Sequence, residues 1–301
     1  MGTVTTYAPK GRDFGVLRQA DRRFPRSSPH ADLIRDLNLE PIFAVMSAGD
    51  AFILETVRIV VPEMISDEKT IRYRQEILKD TLRLSFSKSW YLYASETVES
   101  ARAYRDANLP GYAQMVPMSE KLQHAVALLD LLLKRADGLK RLVLPLAPMF
   151  KSEGLKAFCT NMDNEWTEAF IREACTQVET LKSLSLDGDL MIASRLGAGL
   201  KGSAHVLRRI VQGKDRGRSP ADDSGAKWFK TRNSLEDGVI LLNNIHLTKG
   251  AAEMEEAGLV LLLRQVNLLA EDLFRFFSLF RFEMAFYEGC AAVHEVLMGC
   301  G

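Results

Sequence analysis

The fold is decided by the segment from Gly250 to Leu297, which reads GAAEMEEAGLVLLLRQVNLLAEDLFRFFSLFRFEMAFYEGCAAVHEVL. No proline interrupts this segment, and its apolar residues recur at spacings of mostly three and four, which is typical of one face of an α-helix. The stripe consists of Leu262, Val266, Leu269, Leu273, Phe276, Phe280, Met284, Tyr287, Ala291 and His294. An unbroken helix of this length would span roughly 70 Å at about 1.5 Å per residue. We therefore predict a long, lever-like C-terminal helix that leaves the local core and acts as a strut.

Aromatic residues lie on more than one face of this segment, which predicts burial between several elements. We expect Phe276, Phe280, Met284 and Tyr287 to be largely buried. Charged residues interrupt the apolar stretch at Arg264, Glu271 and Asp272, and they exclude an ordinary membrane span.

Helical periodicity also governs the chain from residue 31 to residue 187. Asp67 is a predicted N-cap for a helix that carries Ile71, Leu78 and Leu82 on its apolar face. Ser119 is predicted to cap a second helix, which Gly138 would end. The apolar face of that second helix is formed by Leu122, Val126, Leu129 and Leu133.

After Gly188 the pattern changes to short apolar runs separated by Gly, Pro and Ser. We predict strands at Leu190–Leu196, His205–Val211 and Val239–Leu247. The glycines at 197, 199 and 202 match GxGxxG, but a strand is predicted after them where a dinucleotide site needs a helix, so we interpret them as a hairpin turn. The same stretch has Ser203 where a P-loop needs Lys, so no ATP-binding motif is present and we predict no enzymatic activity for this chain.

Basic residues are concentrated between Lys201 and Arg232. Nine basic residues against three acidic ones (Asp215, Asp222 and Asp223) leave a formal charge of +6, although the 39 basic and 39 acidic residues of the whole chain balance. The basic residues are Lys201, Arg208, Arg209, Lys214, Arg216, Arg218, Lys227, Lys230 and Arg232. A basic loop with Trp228 and Phe229 inside it suits contact with a nucleic-acid backbone. The alternative is a solvated connector.

Other features indicate a cytoplasmic protein without a metal site. The N-terminus has no apolar core of a signal peptide, and the four cysteines form no CxxC pair, which favours reduced thiols. Cys290 and His294 lie one helical turn apart and could share a metal, but two more ligands would be needed. We predict that they are packing or helix-end residues, and we expect no cofactor in this chain.

Four local patterns together resemble MutS-like DNA mismatch repair proteins, in order along the chain. They are the DLNL run at 36–39, the stretch from Asp67 through Tyr73-Arg74-Gln75-Glu76 to Asp80, the glycine-rich run at 196–208, and the segment 276–295 with Phe276-Phe277, Glu283, Ala285-Phe286-Tyr287, Gly289-Cys290 and His294-Glu295. In such proteins a helical core and lever helices lie upstream of an ABC-type ATPase domain. The resemblance implies that ATP and Mg²⁺ would bind only in a downstream ATPase domain. It also implies an ATPase domain or subunit of the MutS type as partner. The basic segment predicts weak, non-specific binding to DNA, and the acidic residues of the long helix argue against a role at a membrane. A homodimer is compatible with these expectations.

The predicted fold is mainly α, a multi-helix core with a long C-terminal helix and a small β insertion. We predict a flexible basic arm at 1–30, a helical core at 31–187, a β hairpin region with the basic loop at 188–249, and the lever-like helix at 250–301. The function expected is that of a non-catalytic core and lever module that couples DNA contact to an ATPase domain absent from this chain. The alternative is a helical protein-interaction scaffold that does not bind nucleic acid.

Overall fold

A computed structural model describes residues 31–63, 65, 67–108, 116–183, 190–196, 202–209 and 251–299. Within these ranges the chain is mainly α-helical, as predicted. The helices are α1 (Ala31–Asp36), α2 (Glu40–Ser47), α3 (Ala51–Val60), α4 (Glu68–Leu84), α5 (Ser87–Asn108), α6 (Met118–Val143), α7 (Glu153–Glu165), α8 (Glu168–Ser183) and α9 (Ala251–Gly299), with a 3-10 helix at Leu144–Met149. None of these helices has both the length and the apolarity that crossing a membrane demands.

The chain divides into two compact units. The first unit takes in Met1–Ser100, Ala136–Trp166 and Phe274–Gly301, and the second takes in Ala101–Arg135 and Thr167–Leu273. Three helices, α5, α6 and α9, therefore supply residues to both units. The predicted boundaries at residues 187 and 249 stay predictions.

The core of the first unit is aromatic. The ring of Phe280 stacks on Phe158 with centroids 5.4 Å apart and an interplanar angle of 4°. The same ring lies 5.8 Å from Phe276 and 5.9 Å from Trp90, and Trp166 meets Phe276 edge-on at 4.7 Å. Phe276, Phe280, Met284 and Tyr287 are all buried, which confirms the prediction for the apolar stripe.

The helix α4 begins where the sequence predicts but buries a different face. The side chain of Asp67 accepts hydrogen bonds from the backbone N–H groups of Lys69 and Thr70, so the predicted N-cap is confirmed. The predicted apolar face was wrong, because Ile71 is exposed while Leu78 and Leu82 are only half-buried. The buried residues are instead Arg74, Ile77, Asp80 and Thr81.

Asp80 explains why α4 buries polar groups. Its Oδ2 accepts hydrogen bonds from the backbone N–H groups of Lys151 and Ser152, each at 2.7 Å, just before α7 begins. Gly154 then brings the backbone of α7 close to α4, since a Cβ there would lie 2.6 Å from the Tyr73 ring and 2.7 Å from Ile77. A buried carboxylate is stable here because backbone donors satisfy it.

The predicted end of α6 was also wrong. The helix continues through Gly138 to Val143, and the hydroxyl oxygen of Tyr93 lies 2.1 Å from where a Cβ of residue 138 would stand. Close approach, and not helix termination, is therefore the reason for this glycine. The predicted apolar face of α6 is confirmed, because Leu122, Val126, Leu129 and Leu133 are all buried.

In the second unit, α6 is joined to α8 by an ion-pair group. Asp130 Oδ2 accepts from Lys182 Nζ at 2.6 Å and from Lys134 Nζ at 2.9 Å. Arg105 on α5 pairs with Glu271 on α9 at 2.7 Å. The apolar side chains of α8 that are buried in this unit are Ile171, Ala174, Val178 and Leu181.

A two-stranded antiparallel hairpin forms from β1 (Leu190–Leu196) and β2 (Gly202–Arg209). The first strand is the predicted one, and the second begins three residues before the predicted strand and ends two residues before its predicted end. The register pairs Leu190 with Arg209 and Leu196 with Gly202, with an irregularity between Ala193 and Arg195. The predicted third strand, residues 239–247, and the predicted basic arm, residues 1–30, lie outside the described residues.

Candidate functional site

Arg74 on α4 lies at the centre of a buried polar cluster in the first unit. Its side chain is 10% exposed, and its Nη2 donates a hydrogen bond to Glu63 Oε2 at 3.1 Å. Glu283, Tyr287 and Cys290 on α9 lie close enough to interact electrostatically with the Arg74 charge. We call Glu63, Arg74, Glu283, Tyr287 and Cys290 the Arg74 cluster.

The helix α9 can supply three members of this cluster because of their spacing. Glu283, Tyr287 and Cys290 are four and three residues apart, so they share one helical face. Gly289 lets this part of α9 approach its neighbours, since a Cβ there would lie 3.1 Å from Val57 and 3.3 Å from Met46. The cluster is thus positioned by close packing of α9 on α2 and α3.

Burial opposes the charged forms of Arg74, Tyr287 and Cys290 alike. Burial lowers the pKa of the Arg74 guanidinium, and attraction to Tyr287, Glu283 and Cys290 opposes that shift. Burial, followed by repulsion from Glu283, raises the pKa of Tyr287 well above its usual value. Burial also raises the pKa of the Cys290 thiol to about 12. Cys290 is therefore a protonated, weakly nucleophilic thiol at neutral pH.

Cys290 and His294 lie in different surroundings. Cys290 is half-buried in the Arg74 cluster, whereas His294 is exposed near the end of α9. In the part of the chain that the structure describes, no group of three or more His, Cys, Asp and Glu residues could hold a metal ion.

The predicted nucleic-acid contacts fall mostly beyond the described ranges. Arg208 and Arg209 occupy the last two positions of β2, opposite Met191 and Leu190. The other predicted contact residues lie outside the described residues, and they are Lys201, Lys214, Arg216, Arg218, Lys227, Lys230 and Arg232. The structure thus places two of the nine basic residues at the end of a hairpin.

Comparison with known proteins decides the family. A family model described as the MutS2 N-terminal domain matches residues 66–299. The chain belongs to the MutS2 N-terminal domain family. Comparisons with curated proteins and with solved structures gave no match.

The matched range of this MutS2 N-terminal domain contains α4 through α9, and so every member of the Arg74 cluster except Glu63. Two of the motifs that carry the resemblance, around Tyr73-Arg74 and around Glu283–Cys290, therefore meet in space. The resemblance itself could not show this contact, because the motifs are separated by more than 200 residues.

Sequence reasoning missed a second polar group on α9. Arg281 Nη1 donates to Glu99 Oε1 on α5 at 2.7 Å, and the Arg281 guanidinium lies 3.8 Å from the centroid of the Phe52 ring on α3. The only signal in the sequence is that Arg281 and Glu283 interrupt an otherwise apolar run. Such an interruption marks a charge that must find partners if the helix is buried there.

Proposed function

We propose that this chain is a non-catalytic core and lever module of a MutS-type DNA repair ATPase in the cytoplasm. In this role it couples contact with a DNA backbone to an ATPase domain of the MutS type. The observation that carries the proposal is α9, a single helix of 49 residues that supplies residues to both units. At about 1.5 Å per residue, a helix of that length spans roughly 74 Å and can carry a displacement along its axis.

Burial supports a mechanical role for the C-terminal part of α9. Phe276, Phe277, Phe280 and Tyr287 are each at most 6% exposed. Removing such side chains from close-packed surroundings is costly, so this part of the helix cannot move without the helices around it. A displacement of α9 would then move the first unit as a body.

Charge supports the DNA contact. The +6 segment at 201–232 lies in a neutral chain, so attraction to phosphate would be local to it. Contacts of this type are weak and independent of sequence, with dissociation constants of about 10⁻⁴–10⁻⁶ M at physiological salt. Neutralising three or four phosphates would make log K fall with log salt at a slope of roughly −3 to −4, at about −0.9 per phosphate.

The experiment is fluorescence anisotropy with two duplexes of unrelated sequence across a salt series. We expect equal affinity for both duplexes and a slope of log K against log salt of roughly −3 to −4. Replacing Arg208, Arg209, Arg216 and Arg218 together by Gln should flatten the slope, because the formal charge of the basic segment falls from +6 to +2.

A matched control removes four positive charges elsewhere. Lys69, Lys79, Lys88 and Lys151 are exposed residues of the first unit, and replacing them by Gln changes the net charge equally. The slope should stay as in the wild type. No binding at low salt, or equal flattening in both variants, would contradict a contact at the basic segment.

A helical protein-interaction scaffold is the second candidate function. It is favoured by the exposed apolar side chains at the end of α9, where Val296, Leu297 and Met298 are 49%, 67% and 70% exposed. Binding to protein partners with no salt-dependent DNA binding would support this candidate against the first.

A further inference from the structure

The middle of the C-terminal part of α9 is buried on all sides. Six consecutive residues, 280 to 285, are each buried, which no single apolar face would produce. Two of the six, Arg281 and Glu283, are charged, and they are 8% and 4% exposed. Buried charges are unfavourable unless partners surround them, so the partners of these two residues fix where this part of α9 can lie.

Arg281 is held from two directions within the first unit. Its Nη1 donates to Glu99 on α5 at 2.7 Å, and its Cζ lies 3.8 Å from the centroid of the Phe52 ring on α3. The ion pair uses an N–H of the guanidinium, whereas the cation–π contact places the guanidinium charge over the Phe52 ring, so the two contacts restrain the group independently. Together they specify the position of Arg281 along the helix axis.

Two further acids extend this pattern to other helices. Glu283 interacts electrostatically with the buried guanidinium of Arg74 on α4. Glu288 Oε2 accepts a hydrogen bond at 2.6 Å from the hydroxyl of Ser87, a buried residue at the start of α5. Within eight residues, α9 thus has charged contacts with α3, α4 and α5.

The apolar stripe alone does not define the axial position of α9. Its large side chains repeat at about one turn, so a shift of one turn, about 5.4 Å, would again set apolar residues against apolar residues. The charges do not repeat. The residues four before and four after the three charged ones are all uncharged, and they are Phe277, Ala285, Leu279, Tyr287, Met284 and Ala292.

We propose that Arg281, Glu283 and Glu288 form a register lock, a set of charged contacts that holds α9 at one axial position against α3, α4 and α5. A shift by one turn would leave each charge without its partner, whereas the large apolar side chains of the stripe would again face apolar ones. Gly289 favours the same register, since a Cβ at its position would lie 3.1 Å from Val57 and 3.3 Å from Met46. This proposal rests on the proposed lever function, because a helix that transmits a displacement must keep its axial position against the helices that hold it. It can be tested without DNA or nucleotide, so its failure is distinguishable from failure of the DNA contact.

The test measures the distance between α5 and α9 by pulsed electron paramagnetic resonance. Nitroxides are attached through a genetically encoded ketone amino acid at positions 92 and 297, where Leu92 and Leu297 are 54% and 67% exposed. The wild-type protein should give one narrow distance distribution. The variant R281M/E283Q/E288Q should give a second population displaced by up to about 5 Å, the rise of one helical turn.

The control is E153Q/K156M, which removes an exposed ion pair of α7 and should leave one narrow distribution. If the triple variant does not fold, R281M/E288Q keeps the attraction between Glu283 and Arg74 and should still broaden the distribution. A folded lock variant with the wild-type distribution overturns the proposal. A lower melting temperature with an unchanged distribution also overturns it, since the charges would then stabilise the fold without setting the register.

Discussion

Replacing Phe280 by alanine should destabilise the first unit strongly. The ring is 1% exposed and contacts three other aromatic rings, those of Phe158, Phe276 and Trp90, at centroid distances of 5.4, 5.8 and 5.9 Å. Removing a buried Phe side chain costs about 3–5 kcal/mol, and each aromatic pair contributes about 0.5–1.5 kcal/mol beyond burial. With three such pairs we expect a loss in the upper part of this range, about 4–5 kcal/mol.

Urea denaturation of the purified chain measures this loss. The fluorescence of Trp90 and Trp166, both buried in the first unit, should be followed together with far-ultraviolet circular dichroism. With a denaturant dependence of about 3 kcal/mol per molar urea, the midpoint should fall by roughly 1.5 M.

The control is Leu92→Ala on the exposed side of α5 in the same unit. It should change the free energy of unfolding by no more than about 0.5 kcal/mol. A loss below about 1 kcal/mol for Phe280→Ala would contradict the burial of this ring, because the stripe of α9 would then face solvent or a different partner.

Three further outcomes follow from the same features. The purified chain should hydrolyse ATP only at background and show no saturable ATP binding by calorimetry, because it lacks GxxxxGK[ST], and a micromolar affinity would contradict this. Burial raises the pKa of Asp80, but hydrogen bonds from Arg83 and from the N–H groups before α7 outweigh this effect and lower the pKa overall. The ionised carboxylate therefore adds stability above about pH 4, and this stability is lost as the pH falls through the lowered pKa. Asp80→Asn should therefore cost about 1–3 kcal/mol at pH 7, and thermal melts should show its difference from wild type shrinking in acid. Gly154→Ala would place a methyl group 2.6 Å from the Tyr73 ring and should cost about 1–3 kcal/mol in a urea titration, whereas Gly299→Ala meets nothing within 4 Å and should be neutral.

The long helix could be predicted from the sequence because its signal is local. Spacings of three and four residues place side chains on one helical face whatever surrounds them, so the stripe through Phe276, Phe280 and Met284 was found without knowing its partners. The cap at Asp67 is local in the same sense, since it bonds to N–H groups two and three residues ahead.

The buried face of α4 could not be predicted in this way. The apolar pattern predicts that Ile71 is buried, because apolar residues usually mark the core, but Ile71 is exposed. The buried residues Arg74 and Asp80 are polar, and each is stabilised by a partner distant in sequence, such as the N–H group of Ser152. The Arg74 cluster was invisible for the same reason, since Glu283, Tyr287 and Cys290 come near Arg74 only when α9 packs against α4.

We propose that DNA contact at the basic segment is transmitted to α9. Hydrogen–deuterium exchange of the chain, with and without a saturating duplex at low salt, tests it most directly. We expect slower exchange in peptides that cover residues 201–232 and, in addition, altered exchange in peptides that cover α9 between Ala251 and Gly299. Protection confined to residues 201–232, with exchange in α9 unchanged, would show that the DNA contact is not transmitted to α9.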